Sequence, residues 1–275
     1  MRRYFDRTVD DPPSEVTRED IYRRLRFPRG AGAPSPRPHT AINMVATVDG
    51  KVVVGGPGTT RLIGGQTDHY LMGKIEFQAD AVLMGAGLAR EDNPPYPSLS
   101  DQRKGRREMM GLRRDPLWVV VSTRGEFPAL PRLFEGGPEN TALFTTHHIS
   151  DRHHQELERH TRVIVQEGNV VDPLAMGRVL RDELGVNSMI CIGGPTTNAA
   201  MLDAAAADEL FLTLAPKLQG GTHLATMVEG KSYPPEALPK LELLSLYGDE
   251  AELYLRYRLP SSIRRPATSD PVLRD

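Results

Sequence analysis

Apolar residues come in short runs broken by polar, glycine-rich stretches, and the breaks set the expected elements. Residues 41–48 are apolar and are followed by Asp49-Gly50, which predicts a strand ending in a turn before residues 51–54. Residues 81–84 (AVLM) predict a short buried strand running into Gly85-Ala86-Gly87. Residues 117–122, 141–145, 162–166, 189–192 and 211–214 predict further strands. Helices are expected between them. One is capped by Thr67 or Asp68 and runs to about Ala79; another takes Asp172 as N-cap, Pro173 as first helical residue and stops at Gly185. An Ala-rich helix over 196–207 follows Gly193-Gly194-Pro195.

Near the end, residues 241–247 and 253–259 alternate around a turn and predict a hairpin. Strand and helix taking turns implies an α/β fold with a mostly parallel central sheet flanked by helices, to which the C-terminal hairpin adds antiparallel strands. Residues 1–39 carry six prolines between Pro12 and Pro38 and read as a Pro/Arg-rich arm. Its one short helix is expected over 17–25, with Thr17 as cap and Asp20 three positions on. Residues 91–116 read as a long polar connection and 261–275 as a mobile C-terminal tail, leaving 40–260 as a single domain.

Composition narrows the classes. A chain of 275 residues buries roughly 70% or more of its extended surface and needs no staple. Cys191 is the only cysteine, which excludes an intramolecular disulfide and a Cys-rich zinc site and fits a reducing compartment. With 34 basic against 36 acidic residues there is no overall field for nucleic acid. No apolar run reaches a membrane-spanning length, and the arginines of MRRYFDRTVDDPPSE have no apolar stretch behind them, so a cytoplasmic protein is expected. Three fingerprints of common α/β enzymes are missing: G-x-G-x-x-G after the first strand, G-x-x-x-x-G-K-[ST], and G-x-S-x-G.

Four stretches carry candidate chemistry. His147, His148, His153, His154 and His160 cluster, and with no H-E-x-x-H among them they read as a solvated helix rather than a metal site. In ICIGGPTTNAAM (190–201) a buried strand meets two glycines and a helix start. Glycines let backbone approach a ligand and first-turn N–H groups bind phosphate, although an ordinary tight turn looks the same. Residues 119–124 (VVVSTR) end a strand in Ser122, Thr123 and Arg124 with no acid for an adenosine ribose, which suits a 2′-phosphate and favours NADP over NAD. Residues 85–94 place two glycines beside Asp92, and Asp92-Asn93-Pro94 is equally an Asx turn.

Taken together, the last three of these stretches resemble the pyrimidine reductase domain of riboflavin biosynthesis, a branch of the dihydrofolate-reductase-like fold. Residues 43–51 (NMVATVDGK) are similar to that family's N-M-x-x-S-L-D-G-K opening, and 78–87, 193–198 and 208–218 continue the likeness across about 40–260. The resemblance implies NADPH as cofactor, a homodimer, and reduction of the ribosyl group of a diaminopyrimidine or aminouracil phosphate to ribityl. It sets Val45, Ala46 and Thr47 along the nicotinamide, with Leu62, Leu88 and Asp92 completing that wall and Asp92 the candidate catalytic carboxylate. It sets Ser122, Thr123 and Arg124 at the 2′-phosphate, and Gly193, Gly194, Pro195, Thr196, Thr197 and Asn198 at the pyrophosphate. Asn43, Asp49, Thr60 and Ile192 fall on the substrate side, where Asp49 is equally a turn-fixing residue.

The chain also departs from that family. Ile192 stands where a Glu usually contacts the pyrimidine, Glu76 where an Arg usually meets the substrate phosphate, Asn93 replaces an Asp and Leu62 a Trp. Losing an acceptor for ring N–H groups costs a site heavily in selectivity. A dihydrofolate- or pterin-type reductase, or an NADPH-binding protein with little turnover, therefore stays open. One cysteine cannot supply the P-C-x-x-C of the pathway's zinc deaminase, so deamination is expected elsewhere.

Overall fold

The computed structural model describes residues 1–9, 12–29, 36–53, 62–249, 251–261 and 263. In chain order its strands and α-helices are β1 (Arg2–Asp6), β2 (Ser14–Glu15), β3 (His39–Thr47), α1 (Gln66–Glu76), β4 (Ala81–Gly85), α2 (Ala86–Glu91), α3 (Asp101–Met109), β5 (Leu117–Val121), β6 (Thr141–Thr146), α4 (Asp151–Leu157), β7 (Arg162–Gln166), α5 (Pro173–Asp182), β8 (Ser188–Cys191), α6 (Pro195–Asp203), β9 (Glu209–Ala215), β10 (Glu242–Asp249) and β11 (Glu252–Arg258).

All the described strands join one sheet in the order β2-β1-β10-β11-β9-β3-β8-β4-β5-β6-β7. From β9 to β7 every neighbouring pair is parallel, and from β9 back to β2 every pair is antiparallel. This is the expected α/β architecture, a parallel centre with the C-terminal hairpin antiparallel to it. The chain steps outward from β4 to β7, then returns to insert β8 between β3 and β4. At such a reversal the carboxyl ends of the strands open a crevice.

The centre is buried on both faces, as a parallel sheet must be. On one face Ile42, Leu83, Val119, Phe144 and Cys191 pack with Met176 and Leu180 of α5 and Met201 of α6. On the other, Ala41, Ile190 and Phe211 meet Leu71 and Ile75 of α1, while Val82, Val120 and Leu143 form a neighbouring cluster.

Several local expectations change. No helix forms over 17–25. Thr17 does bond Asp20, N to Oδ2 at 3.0 Å and Oγ1 to Oδ2 at 2.8 Å, but the chain continues as successive turns and Tyr22 takes φ +55°. Tyr22 lies edge-on to Phe211 and Tyr247 at 5.1 and 5.8 Å, so tertiary packing outweighs the helical start. The segment 1–39 also lays β1 against β10, buries Ile21, Leu25 and Phe27, and sends Arg29 onto Asp80 and Arg37 onto Asp208. The connection 91–116 holds α3, whose sequence DQRKGRREM has no apolar face; its one buried residue is Arg107. The cap of α1 is Gly65, with Thr67 and Asp68 inside the helix. Asp172 does cap α5, accepting from Leu174 N at 2.9 Å.

Candidate functional site

The crevice beside β8 is built on glycines. Gly193 has φ +96°, and the Gly193-Gly194 peptide is cis. Gly85, at the end of β4, donates its N–H to the Gly193 carbonyl at 2.8 Å. A Cβ on Gly85 would lie 2.3 Å from Thr197 Oγ1, so only glycine lets β4 and α6 approach this closely. Gly194 is the N-cap of α6 and supplies no side-chain cap, and Pro195 at the next position has no N–H. The N–H groups of Thr196 and Thr197 therefore have no intrahelical acceptor, and the positive end of the helix dipole points at the strand ends. Among the described residues a Cβ on Gly194 would meet nothing within 4 Å, so the backbone is open to close approach there.

Sequence expectation put all of 193–198 on a ligand, and the structure divides them. Thr196 is exposed, whereas Thr197 and Asn198 are buried. Asn198 donates Nδ2 to the Met227 carbonyl at 2.9 Å and accepts from Cys191 Sγ at 3.5 Å. It seats the helix from within. Burial pushes the Cys191 thiol up to about 12.

On β3 the register Ile42↔Cys191 sets Asn43 and Ile192 side by side on one face, two residues before Val45 on the same face. Ala46 points to the other face and is buried. Thr47 donates Oγ1 to Asp49 Oδ1 at 2.6 Å, and Asp49 also accepts from Gln219 N at 3.1 Å and Gly220 N at 2.7 Å. The Thr47 bond, then the two backbone donors, hold the Asp49 carboxyl down at about 2. Both residues thus fix the turn after β3 onto the loop at 219–220. Leu62 is exposed, and its carbonyl accepts from Lys217 Nζ at 2.7 Å. Thr60 lies outside the described residues.

Directly after β4, Leu88 lies in α2 and Asp92 is the C-cap of that helix, both half-buried. Asn93 has φ +37° and accepts from Arg132 N at 2.9 Å, so the 92–94 segment is a fixed turn. Beyond β5, Ser122 is buried and accepts from Gly125 N at 3.0 Å. The Thr123 carbonyl accepts from Thr146 Oγ1 at 2.7 Å. Thr123 and Arg124 line a cavity of about 890 Å³, together with Arg90, Phe127, His148 and His153.

Arg90, His148 and His153 were not singled out from sequence as ligand groups. The histidine cluster was the available signal, but its spacing alone does not show that one edge of α4 and the preceding turn face this cavity. Asp68 was read as a helix cap. It is instead buried near Glu252 and bonded to Thr213; burial raises its pKa, the Thr213 bond lowers it, and Glu252 raises it further.

Residues 38–255 match the family model described as the RibD C-terminal domain. The "2,5-diamino-6-ribosylamino-4(3H)-pyrimidinone 5′-phosphate reductase" of Archaeoglobus fulgidus is 24% identical over 197 residues, covering 72% of this chain and 89% of that protein. The protein of the same name from Methanothermobacter thermautotrophicus is 25% identical over 223 residues, covering 80% and 98%. Among solved structures, a pyrimidine reductase-like protein from Corynebacterium diphtheriae superposes with a TM-score of 0.70 at 22% identity, covering 89% of this chain and 99% of that one.

Proposed function

The chain belongs to the RibD C-terminal domain family, and from that premise we propose that it is an NADPH-dependent reductase acting on a ribosylaminopyrimidine phosphate, whose ribosyl group it converts to ribityl. The observation that carries this reading is the uncapped N-terminus of α6, opened by Gly194 and bonded to β4 through Gly85 and Gly193 at the reversal in strand order. A dinucleotide pyrophosphate fits this place, because backbone N–H groups and the helix dipole both favour an anion there. Arg124 and Thr123, two strands away, suit a phosphate on the adenosine ribose. The Archaeoglobus fulgidus and Methanothermobacter thermautotrophicus reductases, each matched over more than four-fifths of its own length, support the substrate class.

When bound, the nicotinamide supplies the hydride that reaches C1′ of the opened, imine-like sugar, and a proton on the attached nitrogen completes the amine. The chain's part is orientation and exclusion of water. Val45, Leu62 and Leu88 give the apolar wall, and Ala46 and Thr47 contribute backbone. Thr196 and Gly194 face the pyrophosphate, with Pro195, Thr197 and Asn198 shaping the helix start behind them. Asp92 is the carboxylate placed on the nicotinamide side. Asn43 faces the pyrimidine beside Ile192, Asp49 holds the turn beneath it, and Thr60 is assigned to the substrate side. We also place the enzyme in the cytoplasm as a homodimer. The support is the family resemblance, one buried thiol, and the lack, among described residues, of any helix long and apolar enough to cross a membrane.

The test is NADPH oxidation with ribosylaminopyrimidine phosphates and with dihydrofolate, run beside Arg124→Ala. Turnover with the ribosyl compounds, weakened in the variant through NADPH affinity, is the expected result. Tight NADPH binding without turnover on either compound would overturn the substrate, and absence of NADPH binding would overturn the function.

A further inference from the structure

We infer that the 890 Å³ cavity beyond β5 and β6 is a nucleotide pocket in which His148 and His153 act with Arg90 and Arg124 to read a phosphate on the adenosine ribose. The inference rests on the dinucleotide reading above and adds two histidines and one arginine to it.

The four cationic or cationisable groups come from four separate places: Arg90 from α2, Arg124 from the turn after β5, His148 from the turn after β6, and His153 from α4. Only the sheet order brings them to one cavity. His148 is held by a 3.2 Å contact between Nε2 and Asn169 Oδ1. His153 lines the same cavity, with its Nδ1 buried beneath the surface and without a hydrogen-bond partner among the described residues. Against these groups the lining holds, among the described residues, one carboxylate, Glu126, which is exposed.

The same lining holds the apolar side chains of Phe127 and Val170. A flat base against an aromatic ring and a phosphate among guanidinium and imidazole groups describe a phosphorylated nucleoside, with both parts close together. That combination favours adenosine 2′-phosphate over the phosphate of the pyrimidine substrate. The substrate's base is assigned to Asn43 and Ile192, on β3 and at the end of β8. Those positions lie about 10 Å or more from the ends of β5 and β6 at ordinary strand spacing.

The experiment is calorimetric titration of the full chain with 2′,5′-ADP, 5′-AMP and ribose 5-phosphate, repeated on the double variant His148→Gln, His153→Gln, with a melting curve to confirm folding. Expected is at least tenfold tighter binding of 2′,5′-ADP than of 5′-AMP, a preference that falls about tenfold in the double variant. The ratio of NADPH to NADH affinity should fall in parallel. An unchanged preference in a folded double variant would overturn the role of the histidines. Ribose 5-phosphate displacing 2′,5′-ADP at equal concentration would reassign the pocket to the substrate. Preferential 2′,5′-ADP binding without turnover of any ribosylaminopyrimidine phosphate would uphold the pocket while the reductase reading fails.

Discussion

Gly85 and Gly193 are joined by a 2.8 Å backbone hydrogen bond that ties the end of β4 to the turn opening α6. Through that bond a strand and a helix more than a hundred residues apart in sequence share one opening. The space between them is set by the missing Cβ at Gly85, which would lie 2.3 Å from Thr197 Oγ1. Gly85→Ala should therefore push α6 or turn Thr197. Overpacking of this kind costs roughly 1–3 kcal/mol. We expect NADPH affinity to fall tenfold or more by fluorescence titration while far-ultraviolet circular dichroism stays native. Unchanged affinity would remove α6 from the cofactor site.

Ile192 lies beside Asn43 and packs partly into two apolar clusters. Ile192→Glu places an acceptor where the base is expected. The KM for ribosylaminopyrimidine phosphate should fall severalfold, with the NADPH dissociation constant unchanged. A shift in NADPH affinity with no change in KM would show that Ile192 touches the cofactor instead.

Arg107 is fully buried and donates to three carbonyls: Arg113 at 2.8 Å, Phe77 at 2.7 Å and Ala79 at 2.9 Å. Burial lowers its pKa to about 10, and the guanidinium stays charged at neutral pH. Arg107→Met leaves those acceptors without their donor, a loss of about 3 kcal/mol. At this chain length the melting temperature should drop by roughly 6–12 °C in calorimetry. Because Arg107 sits near the amino ends of β4 and β5, kcat/KM at low temperature should hold.

Asp49 gives a pH signature. Its folded pKa, about 2, lies below the ordinary carboxylate value because Thr47, then the N–H groups of Gln219 and Gly220, bond the charged form. A depressed carboxylate contributes stability that is complete above about pH 4 and lost as pH falls towards 2. Asp49→Asn should flatten the dependence of urea midpoint on pH across that window. An equally steep profile in the variant would assign the acid sensitivity to other carboxylates, such as Glu209. There burial raises the pKa, but bonds from His39 and Arg256 more than offset it and leave it lowered.

The central fold was legible wherever local chemistry and tertiary packing agree. The apolar run at 41–48 became β3, AVLM became β4, and the Asp172-Pro173 start and the alternation around the C-terminal turn were found as expected. Short apolar runs bounded by glycine and polar breaks suit strands buried on both faces of a parallel sheet. The N-terminal segment was not legible, because β1 exists only where β10 offers it an edge, and Tyr22 is turned by Phe211 and Tyr247. The helix α3 was hidden because a polar sequence shows no helical period when its single buried residue is an arginine.

The glycine pair before α6 and the hydroxyl-arginine ending of β5 were visible as a motif, since backbone approach and charge are local properties. Which residues join them was not visible. The sequence by itself determined the alternation of strands and helices and the residues that let backbone open towards an anion. The tertiary structure alone decided that β8 inserts beside β4 and that β5 and β6 lie next in line, which carries Arg90, Arg124, His148 and His153 to one cavity. Strand order is set by pairing between segments far apart in the chain, and no periodicity within a segment encodes its neighbour.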